Sequence, residues 1–248
     1  MVNRSAMQPI ISPTSSVFCR RASKEYLQAL QGTAVRRRPP VNTNPHNVID
    51  PIEIPLSRDD VEALLSAADK DEHIQLAGCN LRGIDLNEID LTGADLSAAC
   101  LVAANLSGAI LDHVNLSGAN LSGANCIGAS MQDANLSGAD LIGTNLVAAD
   151  LRRADLQGAN LTRAILLFTN LKEARLNEAI LWGTNLSEAN LRQAVLEHAM
   201  LHGAILSEAR VDQPGRQQFA GRGAIDAASV ISLPGCTQSE QDPHEDRD

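Results

Sequence analysis

Large apolar residues recur at every fifth position through the middle of the chain. From position 76 to position 211, Leu stands at each fifth residue except for Cys126, Met131 and Val211, which makes 28 uninterrupted pentads. On an α-helix, five residues turn through about 500°, so successive leucines would scatter around the helix. On a regular strand, an odd period would send every second leucine to the opposite face. The pattern therefore excludes both a long amphipathic helix and a plain strand.

Each pentad has a second inward position and a bend. With the central leucine named i, position i−2 is nearly always small, mostly Ala, and position i+2 is often Gly, as at Gly118, Gly123 and Gly138. Position i−1 is usually Asn or Asp, whose short side chains hydrogen-bond the local backbone at bends. Glycine tolerates the positive φ that a tight turn needs. The pattern predicts a short extended segment, with i and i−2 directed inward, followed by a bend at i+2.

Repeated bends close the chain into stacked coils. Bends of roughly a right angle give a square coil of about twenty residues, which pairs with its neighbours as strands do in a parallel sheet. The pentads then make about seven coils, and a spacing of about 4.8 Å gives a column roughly 34 Å long. No Phe, Tyr or Trp occupies i or i−2 in any pentad, so the aromatic residues lie outside the bore. The sequence predicts an all-β solenoid.

The repeat sequence also resembles a known family. The reiterated A(D/N)LxG of "GANLSGANC", "GADLIGTNL" and "EANLRQAVL" is similar to the repeat of the pentapeptide-repeat proteins, over residues 74–213. The resemblance implies a right-handed quadrilateral β-helix. The family includes DNA-mimicking proteins that protect topoisomerases, bacterial regulators, plastid-lumen proteins and effectors delivered into host cells. The resemblance therefore leaves the function open.

A capping helix is predicted before the first repeat, over residues 57–73. In "SRDDVEALLSAADKDEH", Ser57 is suited to the N-cap, and Asp60 completes a capping-box-like pair. Such a helix would cover the open edge of the first coil, which otherwise invites pairing with other chains. An ordinary helix docked elsewhere is the alternative. One face of the helix carries Val61, Leu64, Leu65 and Ala68.

The two ends of the chain lack the repeat. Residues 1–56 are predicted to be a disordered or targeting segment, because the first 49 hold seven Lys and Arg against the single acid Glu25. No stretch is long and apolar enough for a membrane span or a secretory signal. A cytoplasmic location is expected, with delivery into a host cell or import into a plastid as alternatives. Residues 214–248 predict a C-terminal cap, spanning Ala224 to Leu233, and a loose acidic tail.

The sequence offers no constellation of residues for catalysis. His198 and His202 form the one close histidine pair, but in this register His198 is a corner residue and His202 lies on the following side, so no metal site is expected. The carboxylates are outward and regularly spaced, and the glycines stand at bends rather than in a phosphate-binding loop. Cys79 and Cys126 fall at inward positions, and five cysteines argue against a disulfide framework. We expect a protein without enzymatic activity or cofactor.

Large apolar residues occupy outward positions on two neighbouring sides of the predicted column. Residues twenty apart should stack on the same side, and most other outward positions are polar. A contiguous apolar patch with Trp and Phe commonly marks a protein interface. Cover by the C-terminal segment is the alternative. We name this set the apolar edge: Ile127, Ile142, Val147, Ile165, Leu167, Phe168, Ile180, Trp182 and Met200.

A further side carries stacked cations. Like charges at strand spacing repel each other, so such a stack does not exist for stability. It predicts either a solvated surface, relieved by Glu173 and Asp150, or a dock for an acidic partner. We name this set the basic ladder: Arg152, Lys172, Arg192 and Arg210.

The leading functional prediction is a non-enzymatic, rigid protein-binding scaffold that acts through its side faces on a foreign protein or a second copy. The alternatives are a DNA mimic that binds or protects a topoisomerase, and a secreted effector or organelle-targeted protein. Residues 74–213 hold 15 acids and 8 bases, which is sparse beside duplex DNA with one phosphate per about 1.7 Å. Direct nucleic-acid binding is not expected, because the net charge is −10.

Overall fold

The computed structural model describes residues 55–68, 73–212, 223–224 and 231–233. Its first element is the helix α1, Arg58–Ala67. Two short strands, β1 at Arg210–Asp212 and β2 at Ile231–Leu233, follow the repeats. Among the described residues, no helix combines the length and apolar character that a membrane span requires. The predictions for residues 1–54 and 234–248 lie outside the described residues.

The repeats form a β-helix-type solenoid. Parallel bridges join residues twenty positions apart, from Gln75↔Asp95 to Asn190↔Arg210. One turn of the coil therefore contains four pentads, which gives it four sides. The i residues of one side recur every twenty positions, and we number the sides in chain order by two of these residues. Side 1 contains positions 146 and 166, side 2 contains 151 and 171, side 3 contains 156 and 176, and side 4 contains 161 and 181.

Positions i and i−2 form the core, as the sequence predicts. Every i residue from Leu76 to Val211 is buried, and so is every i−2 residue from Ile74 to Ala209. Threonine also occurs at i−2, because its hydroxyl forms a hydrogen bond within the core. Three buried threonines each donate a hydrogen bond to the carbonyl oxygen of the residue 23 positions earlier, at 2.7–2.8 Å: Thr144, Thr169 and Thr184. A buried hydroxyl that is hydrogen-bonded in this way does not leave an unsatisfied polar group.

The bend of each pentad lies where the sequence places it. The backbone φ is positive at every i+2 residue from Gly78 to Glu208, and fifteen of these residues are not glycine. Asn and Asp at i−1 stabilise the bend by accepting a hydrogen bond from the N–H two residues later. The Oδ1 atom of Asn115, for example, accepts from Ser117 at 3.2 Å. The predicted local role of the i−1 side chains is therefore confirmed.

Helix α1 packs against the beginning of the column. Ser57 and Asp60 form the predicted capping box. Val61 is buried in the core, and the Leu56 N–H donates to the Asn80 carbonyl oxygen at 2.9 Å. The helix ends at Ala67, and residues 69–72 of the longer predicted helix lie outside the described residues. Further contacts with the core come from Leu56, Leu64, Leu65 and Ala68.

The C-terminal segment contacts the opposite end of the column. The Gly203 N–H donates to the Gly223 carbonyl oxygen at 2.9 Å, and Ala224 packs against the core. Strand β2 pairs in parallel with β1, with Arg210 opposite Ile231. These contacts continue the stacking pattern of the coils beyond the last pentad.

Candidate protein-binding surface

Side 1 carries a continuous row of apolar side chains. Ile127, Val147 and Leu167 stand at i+1 in consecutive coils. Backbone hydrogen bonds connect the rungs, since Gly128 donates to Val147 at 2.9 Å and Ala148 donates to Leu167 at 3.0 Å. Ile165, bridged to Asn145 and Asn185, lies two residues before Leu167 on the same side. The structure thus brings together four members of the apolar edge on side 1.

Side 4 carries a second apolar group. Ile180 and Met200 are bridge partners in adjacent coils, and Trp182 follows Ile180 by two residues. Ile142 lies apart from this group, because Thr162 separates it from Trp182 along the stack. The Gly143 N–H donates to Thr162, and the Arg163 N–H donates to Trp182. Ile142 is therefore two coils away from Trp182.

The bend at Arg163 joins the two apolar groups. Its N–H donates to the Trp182 carbonyl oxygen at 2.9 Å, and Ile165 follows Arg163 by two residues. Phe168 stands at the next bend, immediately after Leu167, with a φ of 60°. Trp182 and Phe168 therefore flank side 1 near its two corners, and Ile165 and Leu167 lie between them.

Six of the nine residues in the apolar edge are exposed. The exposed fraction is 52% for Phe168, 49% for Trp182 and 47% for Met200, and Ile127, Ile142 and Ile165 are exposed too. Val147, Leu167 and Ile180 are half-buried. The described residues of the C-terminal segment contact the end of the column, at Gly203 and β1, and leave these side chains open.

Two exposed apolar residues were missed by the sequence analysis. Ile110 lies on side 2, where it bridges Asp90 and Ser130, and Val195 lies on side 3, where it bridges Arg175. Their bridge partners are polar or charged, so neither belongs to a larger patch. Their outward position in the repeat is the one sequence signal for their exposure. Single exposed hydrophobic residues are ordinary on a protein surface.

Charged residues avoid the sides that carry the apolar edge. Between residues 100 and 207 of the described chain, sides 4 and 1 and the bend between them hold only two Asp, Glu, Lys or Arg residues, Asp140 and Arg163. The other two sides, with their bends, hold the ion pairs described below. The column therefore has a charged half and a weakly charged apolar half.

Most of the basic ladder is paired with neighbouring carboxylates. Three of its cations form ion pairs: Arg152 with Asp150 at 2.9 Å, Lys172 with Glu173 at 3.6 Å, and Arg192 with Asp212 at 3.6 Å. The fourth cation, Arg210, belongs to β1 and is exposed. This pairing supports the interpretation of the ladder as a solvated surface.

A bidentate ion pair joins two coils beside the ladder. Arg153 donates from Nη2 to Asp133 Oδ2 at 2.7 Å and from Nε to Asp133 Oδ1 at 2.8 Å. The side-chain hydrogen bond from Arg153 lowers the pKa of Asp133, and the positive charge of Arg153 acts in the same direction. Arg175 also bonds the preceding coil, from Nη1 to Asp155 Oδ2 at 3.2 Å and from Nη2 to Gln157 Oε1 at 3.1 Å.

The described residues contain no group of three or more His, Cys, Asp or Glu side chains that could hold a metal ion. Cys126 lies inside the column, where burial raises the pKa of its thiol to about 12. Because thiolates rather than thiols are nucleophilic, this cysteine is inert at neutral pH.

Comparisons with known proteins agree with the repeat pattern. The family described as pentapeptide repeats matches in eight copies, over residues 73–108, 99–138, 129–166 and 169–207. These matches cover more than half of the chain. No curated protein matches it.

Several solved structures are similar to the chain. HetL, a pentapeptide repeat protein involved in heterocyst differentiation regulation from the cyanobacterium Nostoc sp. strain PCC 7120, is 32% identical. This match covers 63% of this chain and 78% of HetL, with a TM-score of 0.31. Trypsin-treated QnrB1, a plasmid-mediated fluoroquinolone resistance protein, is 19% identical over 65% of this chain and 86% of QnrB1, with a TM-score of 0.36. A pentapeptide repeat protein from the Arabidopsis thaliana thylakoid lumen is 22% identical over 55% of this chain and 78% of its own, with a TM-score of 0.22.

Proposed function

Because the chain belongs to the pentapeptide-repeat family, we propose that it is a non-enzymatic, rigid protein-binding scaffold whose working surface is the apolar edge. One observation carries the proposal: five of the eight exposed large apolar residues of the described chain lie on sides 4 and 1, Phe168 stands at the bend after side 1, and charge is scarce on the same two sides. Interface cores are depleted of charged residues and enriched in aromatic residues and Met. Trp182, Phe168 and Met200 give the edge this composition.

The choice of phenylalanine at the bend residue 168 gives this proposal further support. A left-handed conformation costs a non-glycine residue roughly 1–2 kcal/mol, and it is unusual for a bulky side chain. About half of the Phe168 side chain is also exposed to water. The left-handed backbone is shared by every described bend, so the distinguishing feature of residue 168 is a large, exposed aromatic side chain, which fits a role as a contact residue.

The ends of the column are the remaining surfaces that a partner could use. We propose that α1 closes the N-terminal end and that residues 223–224 and 231–233 contribute to closing the other end of a right-handed, quadrilateral column of about seven coils. The buried Val61 and the pairing of β1 with β2 support this arrangement. Closed ends would direct association to the sides, because an open strand edge is a template for other chains.

Mimicry of DNA for a topoisomerase is supported less well by the arrangement of charges. A mimic needs rows of carboxylates that face the partner without counter-charges. On sides 2 and 3 and the bend between them, Asp133, Asp150 and Asp155 instead form ion pairs with neighbouring arginines.

A pair of double variants tests the proposed function. Phe168→Ala/Trp182→Ala removes the two aromatic side chains of the edge, and Ile110→Ala/Val195→Ala removes two similarly exposed apolar side chains elsewhere. Both variants should unfold at nearly the parent temperature, since none of the four residues belongs to the core. With the partner recovered from native cells, the first variant should bind at least 30-fold more weakly, or about 2 kcal/mol. The second should bind like the parent. Equal weakening in both variants, or unchanged binding in the first, would contradict the proposal.

A further inference from the structure

We infer that the occupant of the apolar edge is a second copy of this chain, packed side 1 against side 1, with the two columns antiparallel and a two-fold axis at Val147. This inference rests on the proposed function and specifies the partner. It depends on the order of residues along side 1, on the charges of the described repeats and on the area that side 1 offers.

The i+1 residues of side 1 have the same character in both directions along the column. Backbone hydrogen bonds join their coils, from that of Gly108 to Ile127 at 2.9 Å to that of Phe168 to Ser187 at 3.2 Å. In the described repeats, no other row of i−1 or i+1 residues has three large apolar residues in succession. Serine bounds the apolar centre at each end, because the five residues are, in order, Ser107, Ile127, Val147, Leu167 and Ser187.

This order makes side 1 complementary to itself. In an isologous interface, residue i of one copy contacts residue j of the other, and j contacts i. A two-fold axis at Val147, perpendicular to the columns, places Ile127 opposite Leu167 of the second copy and serine opposite serine. Because both copies are the same solenoid, their coils share one spacing of about 4.8 Å, and the match holds at every coil. A foreign protein would have to reproduce this spacing independently.

The bends beside this row fit the same arrangement. The bend residues that follow side 1 in three successive coils are Gly128, Ala148 and Phe168. The axis at Val147 therefore places Phe168 of one copy opposite Gly128 of the other. Gly128 is exposed, and a Cβ added there would meet no atom within 4 Å. The space over Gly128 can thus receive the exposed ring of Phe168.

The charges of the described repeats favour a second copy on side 1. A second copy brings the same net charge of −10, so self-association requires a surface on which like charges do not meet. Between positions 105 and 207, no i−1 or i+1 residue of side 1 is Asp, Glu, Lys or Arg. Homodimer interfaces are also more apolar than those formed with transient foreign partners. Side 1 has this composition, whereas side 4 carries Asp140 and the other two sides carry ion pairs.

The exposed fractions of the side chains give enough area for a dimer. Taking about 200 Å² for a large residue, the exposed parts of Ile127, Ile165 and Phe168 amount to about 270 Å². The half-buried Val147 and Leu167, the bend residues and the polar residues of the same coils add a similar area, which gives about 550 Å² per copy. Two copies then bury about 1,100 Å² in total, which exceeds the roughly 1,000 Å² that a specific interface requires.

Mixing two charge variants of the full chain tests the two-fold axis. Val147→Asp and Val147→Lys each place like charges opposite each other in the dimer. In sedimentation equilibrium, the parent should have twice the 26.3 kDa mass of one chain, and each variant alone should dimerise at least about 100-fold more weakly. The equimolar mixture should recover the dimer, because Asp then faces Lys. Val195→Asp on side 3, the matched control, should leave the dimer intact.

Phe168→Ala is a second, independent variant. It empties the contact over Gly128 of the other copy and should weaken dimerisation at least about tenfold. Thermal unfolding followed by circular dichroism establishes that each variant is folded. Phe168→Ala should melt close to the parent, because the side chain lies outside the core and alanine occupies the same kind of bend at Ala148. The inference therefore stays testable even if a variant at position 147 does not fold.

Three results would overturn the inference: a parent chain that sediments as a monomer, a dimer that both variants at position 147 leave intact, and two folded monomeric variants whose mixture stays monomeric. The second result would place the dimer contact elsewhere, such as at an end of the column. The proposed function is separate from these results. It stands if Phe168→Ala/Trp182→Ala weakens the binding of a foreign protein, and it fails as well if that variant changes no association.

Discussion

Replacing Ala148 or Ala149 with glycine should change the stability of the column in opposite directions. The two alanines are adjacent in sequence but belong to consecutive pentads, and they occupy different environments. Ala148 is exposed at a bend with a φ of 55°, whereas Ala149 is buried at i−2 with an exposed fraction of 1%. The comparison therefore tests the register of the repeat at the boundary between two pentads.

The expected magnitudes follow from these two environments. At Ala148, glycine removes a left-handed backbone strain of about 1–2 kcal/mol. It also makes the unfolded chain more flexible, which destabilises the folded state by about 0.5–1 kcal/mol. The net result is a stabilisation of roughly 0.5–1 kcal/mol. At Ala149, glycine loses a buried methyl group, about 0.8 kcal/mol, and adds the same entropy cost. The net result is a destabilisation of roughly 1.5 kcal/mol.

Urea and thermal unfolding, followed by circular dichroism, measure both changes. For a domain of this size, about 1 kcal/mol shifts the melting temperature by about 2–4 °C. Gly158→Ala is the reverse control, because its φ is 66° and an added Cβ would meet no atom within 4 Å. It should destabilise by roughly 0.5–1 kcal/mol, because the backbone strain outweighs the gain from a less flexible unfolded chain. Shifts of the same sign at Ala148 and Ala149 would refute the reasoning.

Two further predictions concern the core and the charged half of the column. Leu141→Asp should abolish cooperative folding because it buries an unpaired charge, whereas Ser137→Asp changes an outward side chain and should be tolerated; if both variants melt like the parent, the register is wrong. Arg153→Ala should cost less than about 1 kcal/mol near neutral pH, because its ion pair with Asp133 is near the surface. Since the folded state lowers the pKa of Asp133, this contribution is present above the ordinary Asp pKa of about 3.9 and is lost as the pH falls through the lowered value. Urea unfolding of parent and variant should therefore differ at about pH 7 and converge at about pH 2; a difference that persists in acid would assign the effect to packing.

The proposed surface was only partly readable from the sequence. The register was sufficient to place Phe168 and Trp182 outside the core, because outward positions follow directly from the repeat. It also gave the two-coil separation of Ile142 from Trp182, because forty residues make two turns of the coil. It did not show that Val147, Leu167 and Ile180 are half-buried. Exposure of an outward side chain depends on the rotamers and sizes of its neighbours in the coils above and below.

The sequence by itself determined the five-residue register, the buried leucine and alanine positions, the bends and the local role of Asn and Asp. These features are local, because each pentad contains its own inward pair, its own bend and its own side-chain hydrogen bond. Only the tertiary structure decided the partners of the basic ladder, such as Asp212 for Arg192, and the pairing of β2 with β1. Long charged side chains choose among carboxylates in the same coil and in adjacent coils, and the non-repetitive segment carries no period that fixes where it docks. The repeat thus specifies the column, while contacts between residues distant in sequence specify its surface and its ends.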